Sequence, residues 1–190
     1  MKNKPFKMFW GGSYDRGVQH LLEMWGEVRE KIPTAELHIC YGFELFDIAH
    51  AGNSEMMKWK DYMLNLMKQE GVFHYGRISK KEVIKLTKSC DVWAYYCTFS
   101  ETNCITSLTS IQYGAVPITM NRAGLKDTAF VGTRLDANGE DKETRKLYLD
   151  ALVYAYEHPE WLEEQRKLGK EKISEFYWEN IAVKWAEHFK

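Results

Sequence analysis

The sequence is short of the residues that break or staple a chain, with 4 prolines and 4 cysteines among 190 residues. Adding its 13 glycines still leaves far too little Gly and Pro for a collagen-like or low-complexity chain. Apolar runs are only a few residues long, too short to span a bilayer, and the opening MKNKPFKMFWGG lacks a signal-peptide apolar region. A surplus of one charge is also missing. Lys and Arg number 26 and Asp and Glu 27, which excludes the global basic excess of a non-specific nucleic-acid or membrane binder. Cys40, Cys90, Cys97 and Cys104 form no CxxC pair and have no His at zinc-finger spacing. Three of them lie in or beside apolar runs, so they read as small buried hydrophobes of a reducing cytoplasm. What the chain has in quantity is aromatic surface, 14% of residues including 7 Trp, suited to a dense core or to stacking.

Strand-like and helix-like patterns alternate. Strands are expected at Lys7–Gly12, Glu36–Gly42, Val72–Arg77, Asp91–Cys97 and Ala115–Met120, with a short sixth at Thr133–Ala137. The fourth, DVWAYYC, is nearly all apolar, as a strand covered on both faces should be. Pro117 is awkward in a central strand. Helices are expected over Asp15–Lys31, from Ser54 to about Glu70, behind the capping box Ser79-Lys80-Lys81-Glu82, over Thr102–Tyr113 and Lys142–Glu157, and from Pro159 onward. Phe43–Asn53 reads as a long loop. Trp178, Ile181, Ala182, Trp185 and Phe189 form the cleanest apolar stripe and read as core. His38 and His74 read as core or edge residues of strands, and His20 and His188 as solvated helix residues. Alternation of this kind predicts one α/β domain over residues 1–190. It is doubly wound and Rossmann-like, with about six mainly parallel strands, helices on both faces and the C-terminal helices packed back on it.

In such folds ligands bind beyond the carboxyl ends of the strands, at the switch point. That directs attention to Gly11–Arg16, Gly42 onward, Arg77, Cys97–Asn103 and Met120–Gly124. Gly11-Gly12-Ser13-Tyr14-Asp15-Arg16-Gly17 links the first strand to the first helix. Glycines there admit a ligand to the backbone, the helix start offers free amides, and Arg16 offers a fork of donors to phosphate oxygens. The turn is not the GxGxxG dinucleotide fingerprint, which argues against a nicotinamide or flavin enzyme. Its bland alternative is a tight turn with a solvated Arg. Thr98-Phe99-Ser100-Glu101-Thr102-Asn103-Cys104 follows the most apolar strand. Its amides could hold an anion or sugar hydroxyls, or Ser100 or Glu101 could merely cap the helix.

These segments together resemble the C-terminal, nucleotide-sugar-binding half of a retaining GT-B glycosyltransferase of the "glycosyl transferases group 1" family. FWGGSYDRGVQHLLEMW is similar to the family's opening strand, glycine turn and helix. VFHYGRISKKEVIKLTKSCDVWAYYCTFSETNCITSLTSIQYGAVPITMNRAGLKD is similar to its core. GTRLDANGED is similar to the short strand and Gly-Asp turn that follow, and FYWENIAVKWAEHF to its closing helix.

The resemblance implies roles for single residues. Gly11, Gly12 and Ser13 would lie against the donor diphosphate, with Arg16 as the second of two basic residues. The first is replaced here by Gly12 or Ser13. Glu101 matches the first acid of a Glu-seven residues-Glu motif and would bind donor-sugar hydroxyls, so Glu101 and Arg16 would serve the reaction itself. The amides of Thr102, Asn103, Cys104 and Ile105 would meet sugar and phosphate. Thr109 stands where the ribose-binding acid is expected, and Arg77 and Tyr41 would line the base pocket. The implied chemistry is metal-independent, cofactor-free transfer of a hexose-like sugar, with retained configuration, from a nucleoside diphosphate sugar to a glycan or other acceptor.

One such domain is about half of what that chemistry needs. The resemblance therefore implies a donor domain that is inactive without an N-terminal acceptor domain, absent from this chain and supplied in cis or in trans. A terminal helix can cross to that second domain in two-domain relatives. No nucleic-acid partner and no transmembrane segment are expected, and the location implied is cytoplasmic. The lysine face Lys80, Lys81, Lys85 and Lys88 reads as solvated, with peripheral membrane contact as the other use. The alternatives are a degenerate domain kept as a scaffold and another GT-B sugar-nucleotide enzyme, such as an epimerase.

Overall fold

The computed structural model describes residues 4–137, 139 and 141–189. Asn138 and Glu140, in the Gly-Asp turn noted above, lie outside the described residues. Six strands form one sheet: β1 Phe6–Trp10, β2 Ala35–Ile39, β3 Val72–His74, β4 Val92–Tyr95, β5 Val116–Met120 and β6 Thr133–Leu135. Every pairing is parallel, in the order β3-β2-β1-β4-β5-β6. The chain winds outward from β1 through β2 to β3, then returns to β4 beside β1 and winds the other way. The switch point is thus the crevice between β1 and β4.

The helices are α1 Val18–Glu23, α2 Trp25–Lys31, α3 Glu44–Ala49, α4 Ser54–Leu66, α5 Lys80–Ser89, α6 Ile105–Tyr113, α7 Leu125–Thr128, α8 Lys142–Glu157, α9 Pro159–Lys172 and α10 Trp178–His188. One layer contains α1, α2, α4 and α8, and the other α5, α6 and α9. Between them the sheet buries Trp10, Trp93, Tyr95 and Tyr96 completely, with Trp25 and Tyr148 packed from the helices. The expected doubly wound fold is the observed one. Among the described residues no helix is long and apolar enough to cross a membrane.

Pro117 lies in an interior strand after all, opposite Trp93. The Val116 amide bonds back to Asp91 O on the β4 side at 3.1 Å. The nitrogen of Pro117 therefore faces the other side, where β6 begins only opposite Ile118. The missing N–H falls one residue short of the ladder, so it leaves no gap in it.

Several boundaries differ from expectation for identifiable reasons. Asp15–Lys31 is a 3-10 turn, Tyr14–Arg16, followed by two helices that break at Met24 (φ −93°, ψ 4°). Phe43–Asn53 contains α3, which buries none of its residues and so leaves no periodic signal. Asn53 caps α4 in place of Ser54, accepting from the amides of Glu55 and Met56. The capping box at Ser79 and Glu82 is formed as expected. Helices α8 and α9 pack back on the domain, but α10 buries none of its residues. Trp178 is 78% exposed, Trp185 63% and Phe189 79%, so the stripe read as core faces outward.

Candidate functional site

The residues singled out from two distant segments meet at the switch point. β1 ends at Trp10 and runs into Gly11-Gly12-Ser13, then the turn Tyr14–Arg16. Gly17 follows with φ 122°, a conformation L side chains rarely adopt. A Cβ there would stand 2.2 Å from Tyr96 O. Glycine thus lets the start of α1 press directly on the end of β4, where Thr98 N–H donates to Arg16 O at 3.0 Å.

That approach carries Arg16 across the crevice. Its Nη1 donates to Glu101 Oε1 at 2.8 Å, a link between residues 85 apart in sequence, and its guanidinium stacks 3.6 Å above the Phe99 ring. The Tyr95 hydroxyl donates to the same Glu101 oxygen at 2.7 Å. Burial works against the charge of Arg16, yet the hydrogen bond and charge of Glu101 hold the guanidinium above its ordinary range. The side chains of Arg16 and Glu101 remain 28% and 14% exposed, so the pair is half-sunk and open to a ligand.

Glu101 does not cap a helix. α6 begins at Ile105, with Cys104 at φ −92° and ψ 87° as the residue before it. The expected start at Thr102 is therefore three residues early. The cause is the β5–α7 loop, which grips the segment after β4 from behind. Gly124 N–H donates to Glu101 O at 2.7 Å, and Arg122 donates to Thr98 O. A Cβ on Gly124 would stand 2.5 Å from Thr102 O. Ala123 takes φ 43° to make this approach, a strained setting for a residue with a side chain. Met120–Gly124 thus backs Glu101, and its Asn121, Arg122 and Ala123 also line an open cavity of about 550 Å³.

The remaining expected residues fall around this pair. Thr102 and Asn103 are exposed in the loop, and Ile105 stands exposed at the start of α6. The Cys104 side chain is buried, and burial pushes its thiol up to about 12, so only its backbone is available. Burial likewise pushes Cys40 and Cys90 up to about 12 and Cys97 to about 11, which keeps all four protonated and unreactive. Thr109 is half-buried one turn into α6. Tyr41 and Arg77, from the ends of β2 and β3, line a cavity of about 210 Å³ together with Gly11, Cys40, Leu45, Ile78 and Val83.

Sequence reasoning missed two tyrosines. Tyr95 is the last residue of a strand read only as apolar. Tyr14 reads as a spacer in the glycine turn, but it is buried, and its hydroxyl ties that turn to the segment after β2 and to the last residue of β3. It accepts from Gly42 N–H at 2.8 Å and stands 2.9 Å from His74 Nε2. Burial lowers the affinity of His74 for a proton, so its ring stays neutral and Nε2 can accept from the phenol. The only signal available for either residue was a phenol placed at the carboxyl end of a strand or in the loop beyond one.

Comparison with known proteins bears on this geometry. No protein-family model matches the sequence, and no curated protein is similar enough to count as a relative. Solved structures do match. Sucrose-phosphate synthase from Thermosynechococcus elongatus superposes with a TM-score of 0.74 at 18% identity, over 100% of this chain and 45% of that one. A point mutant of S. aureus TarM, solved with Fondaparinux, alpha-GlcNAc-glycerol and UDP, gives 0.69 at 14% identity, over 98% of this chain and 36% of its own. HepE of Anabaena, solved with UDP-glucose, gives 0.56 at 15%, over 92% of this chain and 49% of its own. The chain therefore spans less than half the length of these structures. At such identities the likeness establishes the fold alone, the doubly wound α/β sheet that this chain shares with part of each of these structures.

Proposed function

We propose that the chain binds a nucleoside diphosphate sugar as the donor domain of a retaining, metal-independent glycosyltransferase. The observation that carries this reading is the Arg16–Glu101 pair, set at the switch point beside the Gly11-Gly12 turn. A diphosphate laid beside that turn meets a guanidinium that gives one donor to Glu101, has Asp15 Oδ1 3.9 Å from its Nε, and keeps further donors for phosphate oxygens. The neighbours solved with UDP and with UDP-glucose support the ligand class.

On this reading the reaction proceeds by departure of the diphosphate. Arg16 and the first amides of α6 take up the charge that develops on it, and the Glu101 carboxylate accepts hydrogen bonds from the sugar hydroxyls. Thr109 offers ribose one hydroxyl where a carboxylate would accept two bonds. Tyr41 and Arg77 flank the base cavity. The acceptor comes with a second domain, in cis or in trans, and transfer by this chain alone is absent.

Calorimetric titration with UDP, GDP and their sugars tests the proposal. At least one nucleotide binds, and Arg16→Ala weakens it about tenfold or more, as loss of a charge-assisted phosphate contact implies. No binding at millimolar concentration overturns it. Binding indifferent to Arg16→Ala supports instead a domain kept as a scaffold, the reading favoured by Gly12 and Thr109 standing where the family places a basic and an acidic residue.

A further inference from the structure

Tyr95 lies directly beneath the pair. Its ring is buried, stacked on Trp93 at a centroid distance of 4.4 Å and tilted against Trp10 at 4.6 Å. Trp10 is itself fixed, donating from Nε1 to Gly12 O at 2.8 Å. A Cβ on Gly12 would come within 3.0 Å of the Tyr95 ring and 3.2 Å of its hydroxyl, so the glycine turn lies flat over the phenol. The hydroxyl emerges at the carboxyl end of β4 and donates to Glu101 Oε1, the oxygen that also takes Arg16. Oε2 accepts no hydrogen bond among the described residues. Burial, reinforced by nearby negative charge, pushes the phenol well up, so it stays a donor at any physiological pH.

We propose that Tyr95 is a positioning residue that holds the Glu101 carboxylate in place for the donor sugar. The inference rests on the donor-binding reading above. A carboxylate on a loop turns freely about its side-chain bonds. Two donors on one oxygen fix its plane and leave the other oxygen for a ligand. The two donors differ in permanence. Arg16 sits on an exposed Phe99 and is drawn toward a diphosphate when one arrives. Tyr95 is wedged between two tryptophans and under Gly12, and it cannot follow. It is therefore the donor that keeps Glu101 oriented once Arg16 turns to the phosphates. Gly12 has a matching role, because a larger residue there would push against the ring that carries the hydroxyl.

The test is a double-mutant cycle on the full chain, read by calorimetry with two probes, a nucleotide sugar and its bare diphosphate (UDP-glucose with UDP, GDP-mannose with GDP). Tyr95→Phe keeps the stacked ring and removes one hydroxyl. It should weaken the nucleotide sugar about tenfold more than the diphosphate, as for a lost hydrogen bond to a charged group. In a Glu101→Ala background the same change should cost nothing further, because Tyr95 acts through Glu101. Equal loss on both probes, losses that add in the double variant, or no loss at all would overturn the proposal while leaving donor binding intact. A wild-type chain that binds neither pair overturns the donor-binding reading and this inference with it.

Discussion

Gly124→Ala places a methyl group against the backbone that presents Glu101. The residue has φ −63° and ψ −11°, which alanine adopts without strain, so the effect is one of space alone. The new Cβ would stand 2.5 Å from Thr102 O, 2.7 Å from Thr102 C and 2.8 Å from Glu101 O. None of these is the end of a flexible side chain, so the loop must move. Overpacking of this kind costs about 1–3 kcal/mol. Loss of glycine's freedom in the unfolded chain returns about 0.4–1 kcal/mol. The net loss lies between about 0 and 2.6 kcal/mol and centres near about 1.3 kcal/mol, a fall of about 3–5 °C in Tm for a chain of this size. Gly26→Ala is the control. Gly26 is exposed in α2, and a Cβ there meets nothing within 4 Å. Alanine there should raise stability by about 0.5–1 kcal/mol. Thermal unfolding followed by circular dichroism should therefore move the two variants in opposite directions. Equal stabilisation by both would refute the argument that the β5–α7 loop clamps the Glu101 segment.

Two further predictions concern other parts of the molecule. Burial lowers the proton affinity of His38, against the opposing pull of Glu36, and that of His74, both from an ordinary value of 6.5. Each imidazole binds its proton more readily unfolded, so the stability they contribute is complete above pH 6.5 and falls as pH drops below it. Melting temperatures between about pH 7.5 and 5.5 should show this decline, and His38→Gln with His74→Gln should flatten it; an unchanged slope in the double variant would remove the histidines as its cause. Trp185→Ala should change stability by no more than about 0.5 kcal/mol, as for a surface substitution. A fall in Tm of more than about 5 °C would mean that α10 packs on this domain in solution.

The parts of the fold that were legible share one property, a local cause. β4 is legible because a strand covered on both faces is apolar throughout, and α5 because Ser79 and Glu82 satisfy each other's amides within one turn. Pro159 starts α9 because it can stand at the first helical position. The start of α6 was misread because Thr102 is chemically fit to begin a helix, and what prevents it is Gly124, far along the chain. α10 was misread because helical periodicity reports that one face is apolar and says nothing about what lies against that face. In the site, the glycine turn and the Glu101 segment were visible by motif and resemblance. Their union through Arg16 was not, since it depends on Gly17 letting α1 reach the end of β4. The Tyr95 contribution was hidden by the apolar character of its strand, where a phenol ring and a phenylalanine ring serve the core alike.

A nucleoside diphosphate sugar bound in the crevice between β1 and β4 would perturb the backbone amides that line it. The most direct measurement is a titration of UDP-glucose and GDP-mannose into the isotopically labelled chain, following backbone amide resonances. Shifts should concentrate at Gly11–Gly17 and at Thr102–Ile105, with smaller ones around Tyr41 and Arg77. Shifts confined to other surfaces, or none at millimolar ligand, would contradict binding there.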